Sequence, residues 1–528
     1  MMMKRIAKLL VAFLCLSQAV LAGEASSISH GPVLGAVSEH AGRKARHPNI
    51  LFIMSDDHTT QSIGVYGSRL AKLNPTPNID ALAKNGMRFD RVFCNNSICT
   101  PSRASIITGQ YSQKNGVLDL DGNIPPKRQF LPIEMKKIGY QTAMIGKWHL
   151  KQEPAAFDYY CVLPGQGKYH NPDFRVRGNQ SWPKNVIKKK GMHSSDAITD
   201  VSLDWLKNKR DKLKPFFLMH HFKAPHDMFE NARRYDSYLQ DVTIPEPANL
   251  FNPPAGSDGS RNMGSGVGRT HAPWKLARKL GIPEELDDRN YAQAGYQKYL
   301  KRYLRCVKGV DDNIKRLVDY LKETGELDNT VIIYTGDQGF FLGEHDLMDK
   351  RWMYEEAFRM PFIVHAPKLI KGGSTNDWLI NNTDFAPTIL DLAGFKTTPD
   401  YMQGRSFTAA FKGEAKPNDW RTSTYYRYWM HMAHSLAVPA HFGIRNERYK
   451  LIFFYGCAPN GKNRTPVGWE FYDLKKDPHE MCNLYSDPEY AKLIATMKLE
   501  LKRTRAELGE TDANYPAIQA IIDAHWCN

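Results

Sequence analysis

Residues 49–57 read NILFIMSDD. The apolar run from Ile50 to Met54 is rich in β-branched and aromatic residues and too short for a helix, so it reads as a strand buried on both faces. Strands of that kind sit inside parallel sheets covered by helices on both sides. This one stops abruptly at Asp56 and Asp57. In open α/β sheets the carboxyl ends of strands are where ligands bind, so the two acids mark the edge to watch.

Working outward, the same alternation continues. TPNIDALAKNG (76–86) reads as a helix closed by glycine, GYQTAMIGKWH (139–149) and PFFLMHHF (215–222) as strands, and 291–324 as a long amphipathic helix. TVIIYTGDQG (330–339) is again a strand ending in an acid and an amide, and PFIVHAP (361–367) follows as another. The pattern predicts an α/β fold: a large, mostly parallel mixed sheet sandwiched by helices. Its strand ends carry Asp56, Asp57, His149, His221 and Asp337. After about Arg421 the rhythm changes to antiparallel strands in FGIRNERYKLIFFYG (442–456) and GWEFYDLKKDPHEMCNL (468–484), then a helix over 488–508. The expected organisation is a catalytic domain over 47–420 and a smaller C-terminal α+β subdomain over 421–528, with a Gly/Ser-rich surface loop over 252–270.

The start of the chain sets the compartment. MMMKRIAK, the apolar LLVAFLCLSQAV and the small residues before Gly23 form a signal peptide over 1–22, leaving a flexible N-terminal stretch over 23–46. The product is expected to be exported, periplasmic or secreted. No later run approaches the ~18 consecutive apolar residues of a membrane span. The formal charge of +15 falls to +12 once Lys4, Arg5 and Lys8 leave with the leader. That excess either attracts polyanions by long-range steering or serves solubility alone. Of the 8 cysteines, Cys15 goes with the leader. Cys94, Cys161, Cys306, Cys457, Cys482 and Cys527 lack the CxxC spacing of a zinc site. An exported chain permits disulfides; Cys457 and Cys482, both in the C-terminal part, are the favoured pair, and the others read as buried thiols.

Asp56, Asp57 and Asp337 with the amide oxygen of Gln338 make a hard-oxygen donor set suited to Ca²⁺ or Mg²⁺ and poor for zinc. Singly, each is as well explained as a turn or cap residue. The basic groups are Lys147 and His149 in GKWHL, Lys223 and His226 in KAPH, and Lys350 in MDKRWMYEE. Strand alternation would turn Lys147 and His149 to one face. With Arg103 these groups would form a cationic cradle for a tetrahedral oxyanion. Arg103 itself closes CTPSR in NNSICTPSRASIITGQY (95–111), where Cys99 enters an apolar helix. A cysteine there could be a nucleophile, a metal ligand, half a disulfide or the precursor of another group, and spacing does not choose.

CTPSRASIITG resembles the Cys-x-Pro-x-Arg signature of the formylglycine-dependent sulfatases of the alkaline phosphatase superfold. ILFIMSDDH, GKWHL, HHFKAPH, YTGDQGFFLGEH and DKRWMYEEAFRMP follow in that family's order, so the resemblance covers most of the mature chain. It implies that a formylglycine-generating maturation enzyme, reading Pro101 and Arg103, oxidises Cys99 to Cα-formylglycine. It further implies Ca²⁺, or less favourably Mg²⁺, held by Asp56, Asp57, Asp337, Gln338 and the modified Cys99. One hydroxyl of the hydrated aldehyde would attack sulfur, with Lys147, Lys223 and Lys350 on the sulfate oxygens and Arg103 supporting the formylglycine. His226, or alternatively Lys350, would protonate the leaving alcohol, and His149 would take the proton that lets sulfate depart. The chain departs from the pattern at Gln338, where many relatives carry Asn or His, and at Lys151, where glycine is frequent.

VLPGQGKYHNPDF and the YYRYWMHMAH and VPAHFGIRNERYKLIFFY segments resemble bacterial carbohydrate sulfatases of the N-acetylglucosamine-6-sulfatase-like group, which implies exo-action on a sulfated carbohydrate. His345, His431, His434 and His441 are then the candidate sugar-binding residues. Tyr426 and Trp429 read either as part of that pocket or as a packed aromatic seam. Neither nucleic acid nor a membrane span is expected. Two other functions fit the same residues: a phosphonate or phosphodiester hydrolase of the same superfold, and a non-catalytic, calcium-dependent polyanion-binding protein.

Overall fold

The computed structural model describes residues 47–178, 180–252, 255–260, 267 and 280–527. The expected leader, the N-terminal stretch and most of the Gly/Ser-rich loop lie outside the described residues. From His47 onward these residues form one compact unit.

Its centre is a sheet of 10 strands, with Asn49–Asp56 fifth in order between Thr330–Gly336 and Phe216–Pro225. Gln141–Lys147 and Tyr159–Leu163 extend the parallel block on one side. Phe362–His365 joins Thr330–Gly336 antiparallel on the other, and Asp173–Val176 and Val186–Lys188 close the far edge antiparallel. The continuous apolar runs follow from burial on both faces. Ile50, Phe52 and Met54 point into one core with Ile106, Leu131, Met135 and Phe385 of the helices Cys99–Thr108, Phe130–Lys137 and Phe385–Leu392. Leu51 and Ile53 point into the other, covered by Tyr299, Tyr303, Val307 and Ile314 of the 36-residue helix Asp288–Glu323. Each such buried side chain contributes on the order of 1.5–3 kcal/mol.

The second sheet has 4 antiparallel strands, Ser423–Tyr428, His441–Asn446, Tyr449–Phe454 and Gly468–Asp473. Tyr426, Tyr428, Ile452 and Phe454 share the first core of the large sheet. Phe442, Phe453 and Phe471 pack the opposite face under the helices Ala491–Leu508 and Pro516–His525. Residue 421 therefore marks a change of sheet within one compact unit. Among the described residues no helix is long and apolar enough to cross a membrane. Cys457 and Cys482 are both free, the first buried and the second exposed, so the favoured disulfide does not form. Cys457 is enclosed in the core behind the second sheet, whereas Cys482 lies in the turn beyond it, bridged to Ala255.

Candidate active site

The strand Asn49–Asp56 loses register with Phe216–Pro225 between Met54 and Asp56. Bulges of this kind re-aim side chains at functional edges. Asp57 follows in the left-handed region at φ 65°, a conformation that costs a non-glycine residue on the order of 1–2 kcal/mol. The turn brings its backbone N–H to Asp337 Oδ1 at 3.1 Å. Carboxylate oxygens of Asp56, Asp57 and Asp337 lie within 4.8 Å of one another, all buried.

Cations close around them. Lys147 Nζ contacts Asp56 Oδ2, and Lys350 Nζ donates to Asp57 Oδ2 at 2.6 Å. Arg103 puts Nε and Nη2 on Asp337 Oδ2 at 3.0 and 2.8 Å and Nη1 on the Lys147 carbonyl at 2.7 Å. Gln338 donates its amide to Asp57 Oδ1, while its Oε1 is buried with no hydrogen-bond partner. Burial pushes Asp57 up to about 7 against the pull of Lys350. Asp337 stays below the usual carboxylate range, because Arg103 and Lys147 outweigh its burial. Three packed carboxylates, one held near neutrality, beside an unused amide oxygen are what a hard divalent cation would resolve, so the donor set fits one.

Cys99 opens a helix in which every residue is buried, its Sγ 3.3 Å from Asp56 Oδ1. Burial pushes the thiol well above its ordinary range, so it is no ready thiolate. Lys147 follows Gly146, where a Cβ would fall 1.9 Å from the His221 carbonyl. Only glycine lets the two strand ends approach so closely. The strand ends at Lys147, and His149 takes a left-handed turn at φ 54°, so alternation does not place the two on one face. His149 packs instead against Thr100, with Thr100 Oγ1 3.1 Å from its carbonyl and 3.5 Å from Nδ1. Lys151 is also left-handed, at φ 61°, a conformation that glycine adopts without strain.

His226 holds Nδ1 2.5 Å from Asp227 Oδ1 and turns Nε2 toward Asp57 Oδ2 at 3.8 Å. Burial, then the Lys147 charge, lowers it to about 3. Lys223 is buried over the Tyr169 ring at 4.5 Å; burial lowers it although Asp227 and Asp57 pull it up. A cavity of about 220 Å³ opens onto Cys99, His226 and Lys350.

That cavity also collects residues the sequence reading did not single out. Gln166 accepts from Lys147 Nζ at 2.6 Å. Asp349 and Arg351 flank Lys350 and pair with each other at 2.7 Å; Arg351 Nη2 is 3.3 Å from His434 Nδ1. The signals available were the quoted VLPGQGKYHNPDF segment and the charge run around Lys350.

Of the four candidate sugar histidines only His434 lines the cavity. His345 is buried, stacked on Tyr354 at 5.3 Å and 3.6 Å from Glu356. His431 spends Nε2 on the Asn463 carbonyl and Nδ1 on the Ala440 N–H. His441 has no exposed surface; it bonds the Pro439 carbonyl at 2.8 Å and stacks among Trp352, Tyr426 and Phe454. These three are interior residues that do not line the cavity, contrary to the expectation that they bind the sugar. Tyr426 and Trp429 form the aromatic seam: Tyr426 bonds the Arg351 carbonyl, and Trp429 lies 3.5 Å from the Arg427 guanidinium.

Comparison with known proteins places this geometry. The chain is 40% identical over 512 residues to the N-acetylglucosamine-6-O-sulfatase of Bacteroides thetaiotaomicron, covering 89% of this chain and 88% of that one. It is 30% identical over 420 residues to the human N-acetylglucosamine-6-sulfatase, covering 75% and 70%. The solved structure of BT4656 in complex with its substrate D-glucosamine-2-N,6-O-disulfate superposes with a TM-score of 0.80 at 39% identity, covering 88% of this chain and 99% of that one. A second family model, the C-terminal region of N-sulphoglucosamine sulphohydrolase, matches residues 343–507. The sulfatase family model runs from residue 48 to 395, through the strand-end acids, the Cys99 helix and the lysines around them, and the chain belongs to that family of sulfuric ester hydrolases.

Proposed function

We propose that the protein removes sulfate from the terminal sugar of a sulfated carbohydrate, of the N-acetylglucosamine-6-sulfate kind, after Cys99 has been converted to formylglycine. The observation that carries the reading is Cys99 at one small cavity between strand-end acids and buried amines. At about 220 Å³ it is smaller than the roughly 300–1,000 Å³ of pockets for drug-sized ligands. That size suits a single sugar unit entering end-on. The names of the relatives, and the D-glucosamine-2-N,6-O-disulfate in complex with the solved neighbour, support it.

Formylglycine would supply a hydroxyl nucleophile with a second hydroxyl on the same carbon. A divalent cation, Ca²⁺ by the hardness of its donors, would be held by Asp56, Asp57, Asp337 and Gln338 and would polarise a sulfate oxygen. The protein's own groups do the rest. Lys147, Lys223 and Lys350 offset the negative charge of the sulfate, and Arg103 fixes Asp337 and the end of the Lys147 strand. Lys350 and His226 both reach Asp57 from the cavity and are the two candidate donors to the leaving oxygen: Lys350 holds its proton, whereas His226, lowered by burial and the Lys147 charge, gains one at Nε2 once the negative sulfate sits beside it. His149, beside Thr100, is placed to accept the proton on product release. Gln166, Asp349, Arg351 and His434 face the sugar. Export through the leader, and maturation by a formylglycine-generating enzyme, belong to the same reading.

The test is a matured sample whose Cys99 peptide is lighter than the cysteine form. It should hydrolyse N-acetylglucosamine-6-sulfate, lose activity to a chelator and regain it with Ca²⁺. A higher kcat/KM on phosphate or phosphonate esters than on sulfate esters would move the chain to the phosphonate-hydrolase reading.

A further inference from the structure

We propose that a second groove, on the same edge of the large sheet as the cavity, binds the next anionic sugar of the substrate chain; this rests on the carbohydrate reading above. The groove holds about 550 Å³ and is lined by His170, Asn171, His193, Asp196, Arg233 and Arg234 among others. It and the cavity are built from the same two segments. The loop after Tyr159–Leu163 gives Gln166 to the cavity and His170 and Asn171 to the groove. The stretch after Phe216–Pro225 gives Asp227 and Met228 to the cavity, then Arg233 and Arg234 to the groove. Tyr169 OH donates to the His226 carbonyl, and His193 Nε2 lies 2.9 Å from the Glu230 carbonyl, so the wall between them is fixed.

Topology brings lysines to the far side. Asp173–Val176 runs antiparallel to Tyr159–Leu163, so it starts at the carboxyl edge, and Lys188 lies opposite Asp173 there. The chain then passes Lys189 and Lys190 into the groove wall, held by Lys189 N–H to Pro172 O at 2.9 Å, Gly191 N–H to Asn171 Oδ1 at 2.7 Å and Asn171 N–H to Met192 O at 2.9 Å. Lys184, Lys188, Lys189 and Lys190 fall within seven residues of the sequence with no acid among them, and Asp173, the register partner of Lys188, is paired with Lys168 at 2.9 Å.

The charge in the groove is unbalanced. Asp196 is the acid in its lining, and it is committed to Arg234 at 2.6 and 2.7 Å. That contact holds the Arg234 guanidinium in place. Arg233 is exposed and forms no ion pair with any described residue. Lysines on an edge strand guard against strand pairing, which accounts for Lys188 but not for a concave surface ending in an uncommitted arginine. A guanidinium in a groove matches a planar carboxylate or a sulfate through paired hydrogen bonds. A track from Cys99 past Gln166 to Arg233 and then Lys188 and Lys190 fits a chain that carries a negative charge on the unit after the one being hydrolysed.

The experiment compares a sulfated monosaccharide with an oligosaccharide that bears the same terminal sugar followed by a sulfated or uronate unit. Arg233→Glu should lower kcat/KM on the longer substrate about tenfold, through KM, because bonds to a charged partner are lost and a repulsion is added. Activity on the monosaccharide should stay the same. Lys188→Glu with Lys190→Glu should give a smaller loss of the same kind. Equal changes on both substrates, or none on either, would overturn the groove as a subsite. Failure of the matured protein on every sulfated sugar would instead refute the carbohydrate reading. In that event calorimetric binding of an anionic oligosaccharide with an unsulfated terminal unit still decides: tenfold weaker binding by Arg233→Glu supports the groove, and equal binding overturns it.

Discussion

At the carboxyl edge of the large sheet, Asp56, Asp57 and Asp337 gather with Lys147, Lys350 and Arg103 beside a cavity. Beneath the second sheet, Glu355 and Glu480 gather around Lys450, whose Nζ lies 3.0 and 2.6 Å from them and 2.8 Å from the Met353 carbonyl. Glu470 nearby accepts from Ser257, Ser260, Tyr354 and Tyr472. Both regions bury full charges. In the second, burial likewise raises Glu480 to about 7, but its Oε1 sits 2.6 Å from the Lys450 ammonium, and the cavity alongside reaches Glu355 without reaching Lys450 or Glu480. In the first, the cations match the acids and still leave Gln338 Oε1 unbonded and Asp57 near 7, next to a cavity that opens onto Cys99. Buried charge alone does not mark a site; unused bonding capacity next to an opening does.

The largest expected effect tests the first region. Cys99→Ser, kept as an unoxidised serine (checked by the mass of its peptide), keeps the volume of the side chain but lacks the second hydroxyl on the same carbon, so turnover should fall by at least about 10³-fold. The thermal midpoint should stay within a few degrees of the cysteine form. Steady multiple turnover by the serine variant at the matured rate would remove Cys99 from the chemistry and leave the cavity without a nucleophile.

Lys450→Met tests the second region. It strands Glu480 against Glu355 with no ammonium between them, and breaking a buried pair from one side costs about 3–5 kcal/mol. The loss should be read in a denaturant titration, while kcat/KM per folded molecule is unchanged. A selective loss of activity with full stability would show that the two regions are not separate in function.

The difference between the regions also explains what could be read from the sequence. The large sheet announces itself, because apolar runs buried on both faces end in Asp56 and Asp57 and in Asp337 and Gln338, and carboxyl ends converge by topology. Cys99, Pro101 and Arg103 were legible as a motif. The second sheet offers only a period of two, which says that residues share a face but not what that face meets. His441 pairs with Tyr428 and Phe454 in register and so lies over Trp352, inside the core. Lys147 and His149 looked like strand neighbours until a left-handed turn separated them. Asp349 and Arg351, at φ 83° and 87°, occupy a stretch with no regular period, and Gln166 sits in a loop. Residues placed by turns and loops have no periodic signature to read.

Glu510 offers the sharpest case, with unused bonding capacity and no opening. It is 1% exposed behind the second sheet, accepts from the Gln113 N–H at 2.7 Å and leaves Oε2 without a hydrogen bond. Burial raises its carboxyl to about 7 although Arg427 and Arg505 pull it down; both arginines also engage Asp512. A proton held more tightly in the folded state gives stability that is full below the ordinary glutamate range and is lost as the pH rises through about 7. From 4.5 to about 7 that loss amounts to about 3 kcal/mol at most. Glu510→Gln keeps the acceptor for Gln113 and carries no charge at any pH. The variant should match the wild type near pH 4 and exceed it in stability at pH 8, so that the gap between the two thermal midpoints opens as the pH rises. Midpoints that stay parallel across that range would mean that Glu510 is ionised in the folded protein and that its neighbouring arginines outweigh its burial, which would place it with Lys450 among the closed, compensated charges.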